Sequence, residues 1–152
     1  MRKSGNGVLE VQLPLDSPSD IGVFTLQSDE IESAWGWIER FLSKVPSYDW
    51  TVPDVKRDLL SAKAQLWGLI GEKPLVQGIV VTRIEDYYEK RYGVIWIASG
   101  SGIEEGMPLL DHIEKWFIYR GCGFSQVVGR KGWGKVLPGY EERARVYTKE
   151  LK

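Results

Sequence analysis

The chain has 152 residues, 43% of them hydrophobic and 27% charged. That is the balance of one ordinary globular domain, able to bury about two-thirds of the surface its unfolded form exposes. A formal net charge of −1 and a pI near 5.9 argue against a general polyanion binder, which carries a basic excess. The single cysteine, Cys122, excludes an intrachain disulfide and any cysteine-built zinc site.

Arg2 and Lys3 are followed by Gly5, Asn6 and Gly7 instead of an apolar run, so neither a signal peptide nor a transmembrane span is expected. Leu9, Val11, Leu13 and Leu15 then recur with period two, the pattern of a strand or an extended arm. Turn residues fill 16–20, so residues 1–20 read as an N-terminal extension or arm ahead of a domain spanning 21–152. Residues 21–26 form a second extended run. Asp29, with Glu32 three residues on, has the spacing of a capping box. Ile31, Ala34, Trp35, Ile38, Phe41, Leu42 and Val45 continue at helical spacing, predicting a helix over 30–45 that Pro46 stops. Thr51 caps a second helix over 51–63, with Pro53 in its first turn.

The middle of the chain is β-rich. Residues 66–70 and 75–84 are apolar and β-branched, joined by a hairpin connection at 71–74. The charged stretch 85–91 reads as a loop. Residues 92–98 are apolar at consecutive positions, as in a central strand covered on both faces. A glycine-rich loop follows over 99–106. Pro108 then opens a third helix, 108–120, with Leu109, Leu110, Ile113, Trp116 and Phe117 as its apolar stripe and Gly121 as its stop.

The last thirty residues read as a strand (123–128), a short helix with turn residues (130–139) and a closing strand (142–151). A helix, a strand, a short helix ending in Gly139-Tyr140 and a terminal strand: this order resembles the C-terminal half of the GCN5-related N-acetyltransferase (GNAT) fold. The wording Gly129-Arg130-Lys131-Gly132-Trp133 and Val136-Leu137-Pro138-Gly139-Tyr140 looks most like the GNAT-like proteins of tailed bacteriophages. The resemblance covers residues 21–151. It implies an α+β (α/β/α layered) fold with a central mixed, mostly antiparallel sheet. The 30–45 and 51–63 helices would lie on one face and the 108–120 helix on the other. Trp35, Ile38, Phe41, Val80, Ile95, Ile97, Ile113 and Phe117 would then be buried.

GNAT enzymes hold the acetyl-CoA pyrophosphate on main-chain N–H groups of a Gln/Arg-x-x-Gly-x-Gly/Ala motif at a helix N-terminus. With Gly106 on the motif glycine, Ile103 stands where Gln or Arg is expected and Pro108, without an N–H, stands on the small residue. Glu104 and Glu105 would lie beside the phosphates, where like charge opposes binding, although acidic residues also stabilise a helix N-terminus. The family's catalytic acid, a tyrosine four residues before the final Gly-aromatic pair, is Lys135 here. Tyr140 and Tyr147 are near in sequence, and Glu85 is the one tempting base. The resemblance therefore implies no assigned catalytic residue. The expected role is that of a non-catalytic structural or assembly component of a phage virion, in the particle or the host cytoplasm. The alternative is an acetyl-CoA-dependent N-acyltransferase acting on a small-molecule or protein amine, with Gly100, Gly102, Gly106 and Tyr140 at the cofactor.

Other chemistry is sparse. His112, the only histidine, reads as a solvated helix residue, and without partners it cannot build a metal site. Cys122 reads as a small packed residue. No Walker, Gly-x-Ser-x-Gly or His-x-x-x-His pattern occurs. From Arg120 onward eight basic residues stand against three acidic ones. On the closing strand Arg143, Arg145, Tyr147 and Lys149 share one face, and Ala144, Val146 and Thr148 the other. That face is either solvated and guarding a sheet edge or meets an acidic partner. The 7 tryptophans fill a core or an interface. Candidate interface residues are Leu9, Val11, Leu13, Leu15, Arg130, Lys131, Trp133, Arg143 and Arg145. The expected partners are other virion proteins or copies of the chain itself, not nucleic acid or membrane. The arm at 8–15 is expected to lie on a neighbouring subunit, because 5–7 and 16–20 can serve as tethers.

Overall fold

The computed structural model describes residues 2–3, 9–10, 22–70, 76–100, 103–129 and 136–151. Among them one sheet runs in the order β1 (Arg2–Lys3), β2 (Leu9–Glu10), β3 (Gly22–Leu26), β4 (Ala64–Ile70), β5 (Val76–Tyr87), β6 (Lys90–Gly100) and β7 (Phe124–Val127). Every neighbouring pair is antiparallel except β6 and β7, which run parallel. The helices are α1 (Ile31–Leu42), α2 (Val52–Leu60) and α3 (Ile103–Tyr119). α3 is the crossover that a parallel pair requires.

Two cores lie on the two faces of the sheet. On one, Ala34, Ile38 and Leu42 of α1 and Val55 and Leu59 of α2 pack on Phe24, Leu66, Ile79, Val81 and Ile97. On the other, Leu109, Ile113 and Phe117 of α3 pack on Val23, Trp67, Leu69 and Ile95. This is the layering that the family resemblance implies. Ile38, Ile95, Ile97, Ile113 and Phe117 are buried as expected, whereas Trp35, Phe41 and Val80 are only half-buried. Trp35 and Phe41 sit at the rim of α1, where the Lys56 and Lys44 ammonium groups lie over their rings. Two glycines make room for aromatic rings, Gly93 beneath Phe117 of α3 and Gly68 beneath its cross-strand neighbour Phe24. A Cβ on Gly93 would stand 2.2 Å from the Phe117 ring, and one on Gly68 would stand 2.0 Å from the Phe24 ring.

Local signals explain most boundaries. Thr51 Oγ1 accepts from the Asp54 N–H, and Asp54 Oδ2 accepts from the Thr51 N–H, a reciprocal cap with Pro53 in the first turn. Gly121, at φ +81°, ends α3. Its N–H donates to Ile118 and that of Cys122 donates to Phe117, a Schellman motif.

Several expectations need correction. The start of α1 is fixed not by Asp29 and Glu32 but by the buried Glu30, whose Oε1 accepts the Gln27 N–H at 2.8 Å across a 3₁₀ turn, Ser28–Glu30. Residues 85–87 are strand rather than loop. Their charges pair across the hairpin, Arg91 to Asp86 at 2.7 Å. α3 begins at Ile103, so Pro108 lies inside the helix instead of opening it. His112 is 7% exposed rather than solvated. It follows Leu109 by three residues and precedes Trp116 by four, which places it on the apolar stripe. Residues 142–151 form no strand and are exposed throughout. Of the arm, Leu9–Glu10 pairs with its own chain, Glu10 opposite Phe24, and residues 8 and 11–15 lie outside the described residues. The predicted hairpin connection at 71–74 and most of the short helix at 130–139 fall outside the described residues.

Candidate functional site

The sheet has one parallel pair, and a bulge in the neighbouring β5/β6 ladder lies beside its end. β6 and β7 are in register from Tyr92↔Phe124 to Ile95↔Val127, and there pairing stops. β6 continues to Gly100 paired with β5 alone. At the same point β6 carries a bulge: Thr82 faces Ile95 and Val81 faces Ile97, leaving Trp96 as the extra residue. The physical trace of the bulge is in the packing. Ile95 joins the core under α3, while Trp96 and Ile97 both join the opposite one. A bulge bends its strand and raises its twist, and this one falls where β7 ends. The carboxyl ends of the two strands and the N-terminus of α3 meet at this opening, the place where open α/β units bind ligands.

The walls of the opening have little side chain. Ala98 and Gly100 are exposed on the unpaired stretch of β6. Gly100 has φ +120°, and a Cβ there would lie 2.4 Å from the Gln77 carbonyl oxygen, so no other residue fits. The first turn of α3 is Ile103 to Gly106 by backbone. A helix leaves its first N–H groups without internal partners and favours an anion there. Pro108 comes after that turn. Its missing N–H removes the helical bond to the Glu104 carbonyl and none of the terminal donors. Gly100 and Gly106 thus border the opening. Gly102, the third glycine expected there, is outside the described residues, as is Lys135.

Tyr140, the fourth expected cofactor residue, is placed elsewhere. Its hydroxyl donates to Glu114 Oε2 at 2.6 Å and shares a 2.7 Å bond with Ser125 Oγ. Burial, and then the bond to the Glu114 carboxylate, raise its pKa well above the ordinary phenol value. Glu114 is eleven residues along α3 from its start, about 16 Å at helical rise. The phenol therefore anchors the C-terminal segment to α3 and β7, away from the helix N-terminus.

On the α1/α2 face, beyond the two helices, a polar and aromatic surface covers β5, β6 and β7. The Arg83 guanidinium lies 4.1 Å from the Trp96 ring centroid, and Trp50 meets Trp96 edge-on at 6.3 Å. Arg83 pairs with Glu85 at 3.2 Å, and the Tyr87 hydroxyl donates to Glu85 at 3.0 Å, which raises the Tyr87 pKa. Arg83 Nε is buried without an acceptor. Tyr92 stacks on Phe124 at 4.9 Å. A groove of about 730 Å³ continues from there, lined by Tyr87, Tyr88, Glu89, Lys90, Tyr92 and Gln126.

The expected interface residues are only partly described. Arg143 lies 5.4 Å from the Phe124 ring and pairs with Glu141, and Arg145 pairs with Glu142 at 2.7 Å. Leu9 is described by its backbone alone. Val11, Leu13, Leu15, Arg130, Lys131 and Trp133 lie outside the described residues. Sequence reasoning missed the bulge at Trp96, the parting of β6 and β7, and the Tyr140 clamp. The bulge had one signal, the run 94–98, which breaks the period-two pattern of a regular strand. Cys122 is half-buried, and burial raises its thiol pKa. Among the described residues no helix is long and apolar enough to cross a membrane.

Comparison with known proteins places this geometry. No protein-family model and no curated protein matches the chain. Solved structures do. An aminoglycoside acetyltransferase from an uncultured soil metagenomic sample superposes with a TM-score of 0.65 at 14% identity, over 87% of this chain and 97% of its own. A GNAT family acetyltransferase from Staphylococcus aureus gives 0.61 at 18% identity, over 86% and 98%. Glucosamine-6-phosphate N-acetyltransferase from Arabidopsis thaliana gives 0.63 at 11% identity, over 87% and 99%. The chain has the GNAT fold. None of these three is a phage protein, and they lend nothing to a virion role.

Proposed function

We propose that this chain is an acyl-CoA-dependent N-acyltransferase, the alternative that the sequence left beside a non-catalytic role. The observation that carries the reading is the parting of β6 and β7 beyond Ile95↔Val127, at a bulge and at the N-terminus of α3. The residues there fit the cofactor: an unpaired strand edge, walls of Ala98 and Gly100, and free helix N–H groups. The solved acetyltransferases of the same fold support it further.

The first turn of α3 would hold the diphosphate through main-chain N–H groups. The unpaired edge of β6 from Ile97 to Ser99 would hydrogen-bond the amides of the pantetheine arm. When bound, the cofactor supplies an activated acyl thioester. The acceptor amine would enter from the α1/α2 face, where Trp50 and Trp96 offer aromatic surface and Arg83 Nε an unused donor. Glu85 is the carboxylate on that face able to take up the proton the amine loses. Ile103, Glu104 and Glu105 depart from the family's motif, so the affinity expected is modest.

The test is calorimetric titration with acetyl-CoA beside a thermal shift. Saturation at about a hundred times the dissociation constant should stabilise the fold by about 2.7 kcal/mol. Ala98→Phe should remove both signals without lowering the melting temperature. If neither the native chain nor a Glu104→Gln/Glu105→Gln variant binds, the acyltransferase reading fails and the non-catalytic one stands.

A further inference from the structure

The end of the chain crosses the margin of the sheet. Tyr140 bonds Ser125 and Glu114 on the α3 face, where Val127 also packs. Three residues on, Arg143 lies over the Phe124 ring. Phe124 and Ser125 are neighbours on β7 and point to opposite faces. The segment therefore passes from one face of the sheet to the other. The Tyr140 clamp delivers the Arg143 guanidinium to the aromatic groove on the α1/α2 face.

Lys90 reaches the same ring from the β5–β6 hairpin. Its ammonium is 5.6 Å from the Phe124 centroid, against 5.4 Å for Arg143. Tyr92 stacks on that ring at 4.9 Å. Two cations thus converge on one phenyl ring, beside a groove of about 730 Å³ that Lys90, Tyr92 and Gln126 line. Lys90 has no carboxylate partner among the described residues. Arg143 has Glu141, but both are largely exposed, and such a pair is worth little. Gln126 is on the same face of β7 as Phe124 and adds an amide donor. Two cations with an amide beside them suit a doubly charged oxyanion. The groove also leads to the opening. Gln126 is one residue short of Val127, where β6 and β7 part, and Phe124 is three residues short, about 10 Å.

We propose that the acceptor amine carries a phosphate group, held by Lys90, Arg143 and Gln126 about 10 Å from the nitrogen that is acylated at the opening. The acceptor's part in this rests on the acyltransferase reading, whereas the anion site rests on the groove itself. Tyr87 and Tyr92 flank the path between the two ends. Glu89, the one carboxylate in the lining, opposes the anion.

NMR titration of the full chain with inorganic phosphate, against chloride at equal ionic strength, reads the site without catalysis. The Gln126 side-chain amide should shift. Lys90→Gln and Arg143→Gln should each weaken binding by about tenfold, the scale of one close charge near a surface, and Glu89→Gln should strengthen it. With acetyl-CoA present, aminohexyl phosphate should be acetylated at a higher kcat/KM than hexylamine, and Lys90→Gln should remove most of that preference. Shifts confined to the first turn of α3, or equal binding by the Lys90→Gln and native chains, would overturn the anion site. Transfer to hexylamine with no preference for the phosphorylated amine would overturn the acceptor's phosphate and leave the acyltransferase reading intact. Phosphate bound in the groove with no transfer to either amine would sink that reading and leave the anion site standing.

Discussion

The Tyr140 hydroxyl donates to the Glu114 carboxylate at 2.6 Å, across 26 residues of sequence, and so ties the C-terminal segment to α3. Ser125 completes the site from β7. Tyr140→Phe should destabilise the fold by about 1.5 kcal/mol, the low end for a hydrogen bond to a charged group because the phenol is half-exposed. The pH dependence has a definite sign. The folded-state pKa lies above the ordinary phenol value of about 10, so the folded state keeps its proton where the unfolded chain has lost it. The contribution is complete below pH 10 and is lost as pH rises through the folded-state pKa. Melting curves should show an alkaline fall in stability that is smaller in the Phe variant.

Gly93 lies beneath the Phe117 ring because β6 and α3 approach too closely for a Cβ. Gly93→Ala should cost about 2–3 kcal/mol by overpacking. In that background Phe117→Leu should cost less than it does alone, because the smaller side chain relieves the contact. Chemical denaturation of the two single variants and the double variant measures both effects. Additive costs would mean that the ring does not bear on position 93.

Trp67 Nε1 donates to Thr82 Oγ1 at 3.0 Å, and that hydroxyl donates to Gln65 Oε1 at 2.9 Å. Trp67 and Thr82 are both buried. Thr82→Val keeps the shape but leaves the indole N–H unsatisfied, at a cost of about 1–3 kcal/mol. Thr82→Ser should recover most of it. Equal losses for Val and Ser would show that packing of the methyl group, not the relay, sets the cost.

Glu104 and Glu105 stand in the first turn of α3. If that turn holds a diphosphate, replacing both by Gln should tighten acetyl-CoA binding by about tenfold at low salt, since removing like charge near the surface is worth about 1 kcal/mol or more. The gain should shrink as salt is raised. Titration at two ionic strengths reads it, and an unchanged affinity would place the diphosphate elsewhere.

The sequence determined the elements and their layering. Helical spacing through Ala34, Ile38 and Leu42 and through Leu109, Ile113 and Phe117 specified two apolar stripes. β-branched runs specified the strands between them, and Thr51 and Gly121 set two helix ends through bonds local in sequence. Those signals survive because an amphipathic period, a cap or a left-handed glycine acts within a few residues. The opening between β6 and β7 was not legible, since it depends on where two strands far apart in sequence stop pairing. The Tyr140–Glu114 bond depends in the same way on α3 bringing distant residues together. His112 was misread because one residue's environment follows from the whole face it shares. The closing segment shows the limit most plainly. Its alternation gave it the pattern of a strand, but a strand needs a neighbour for its N–H and C=O groups, and only the tertiary structure decides whether the same chain can provide one.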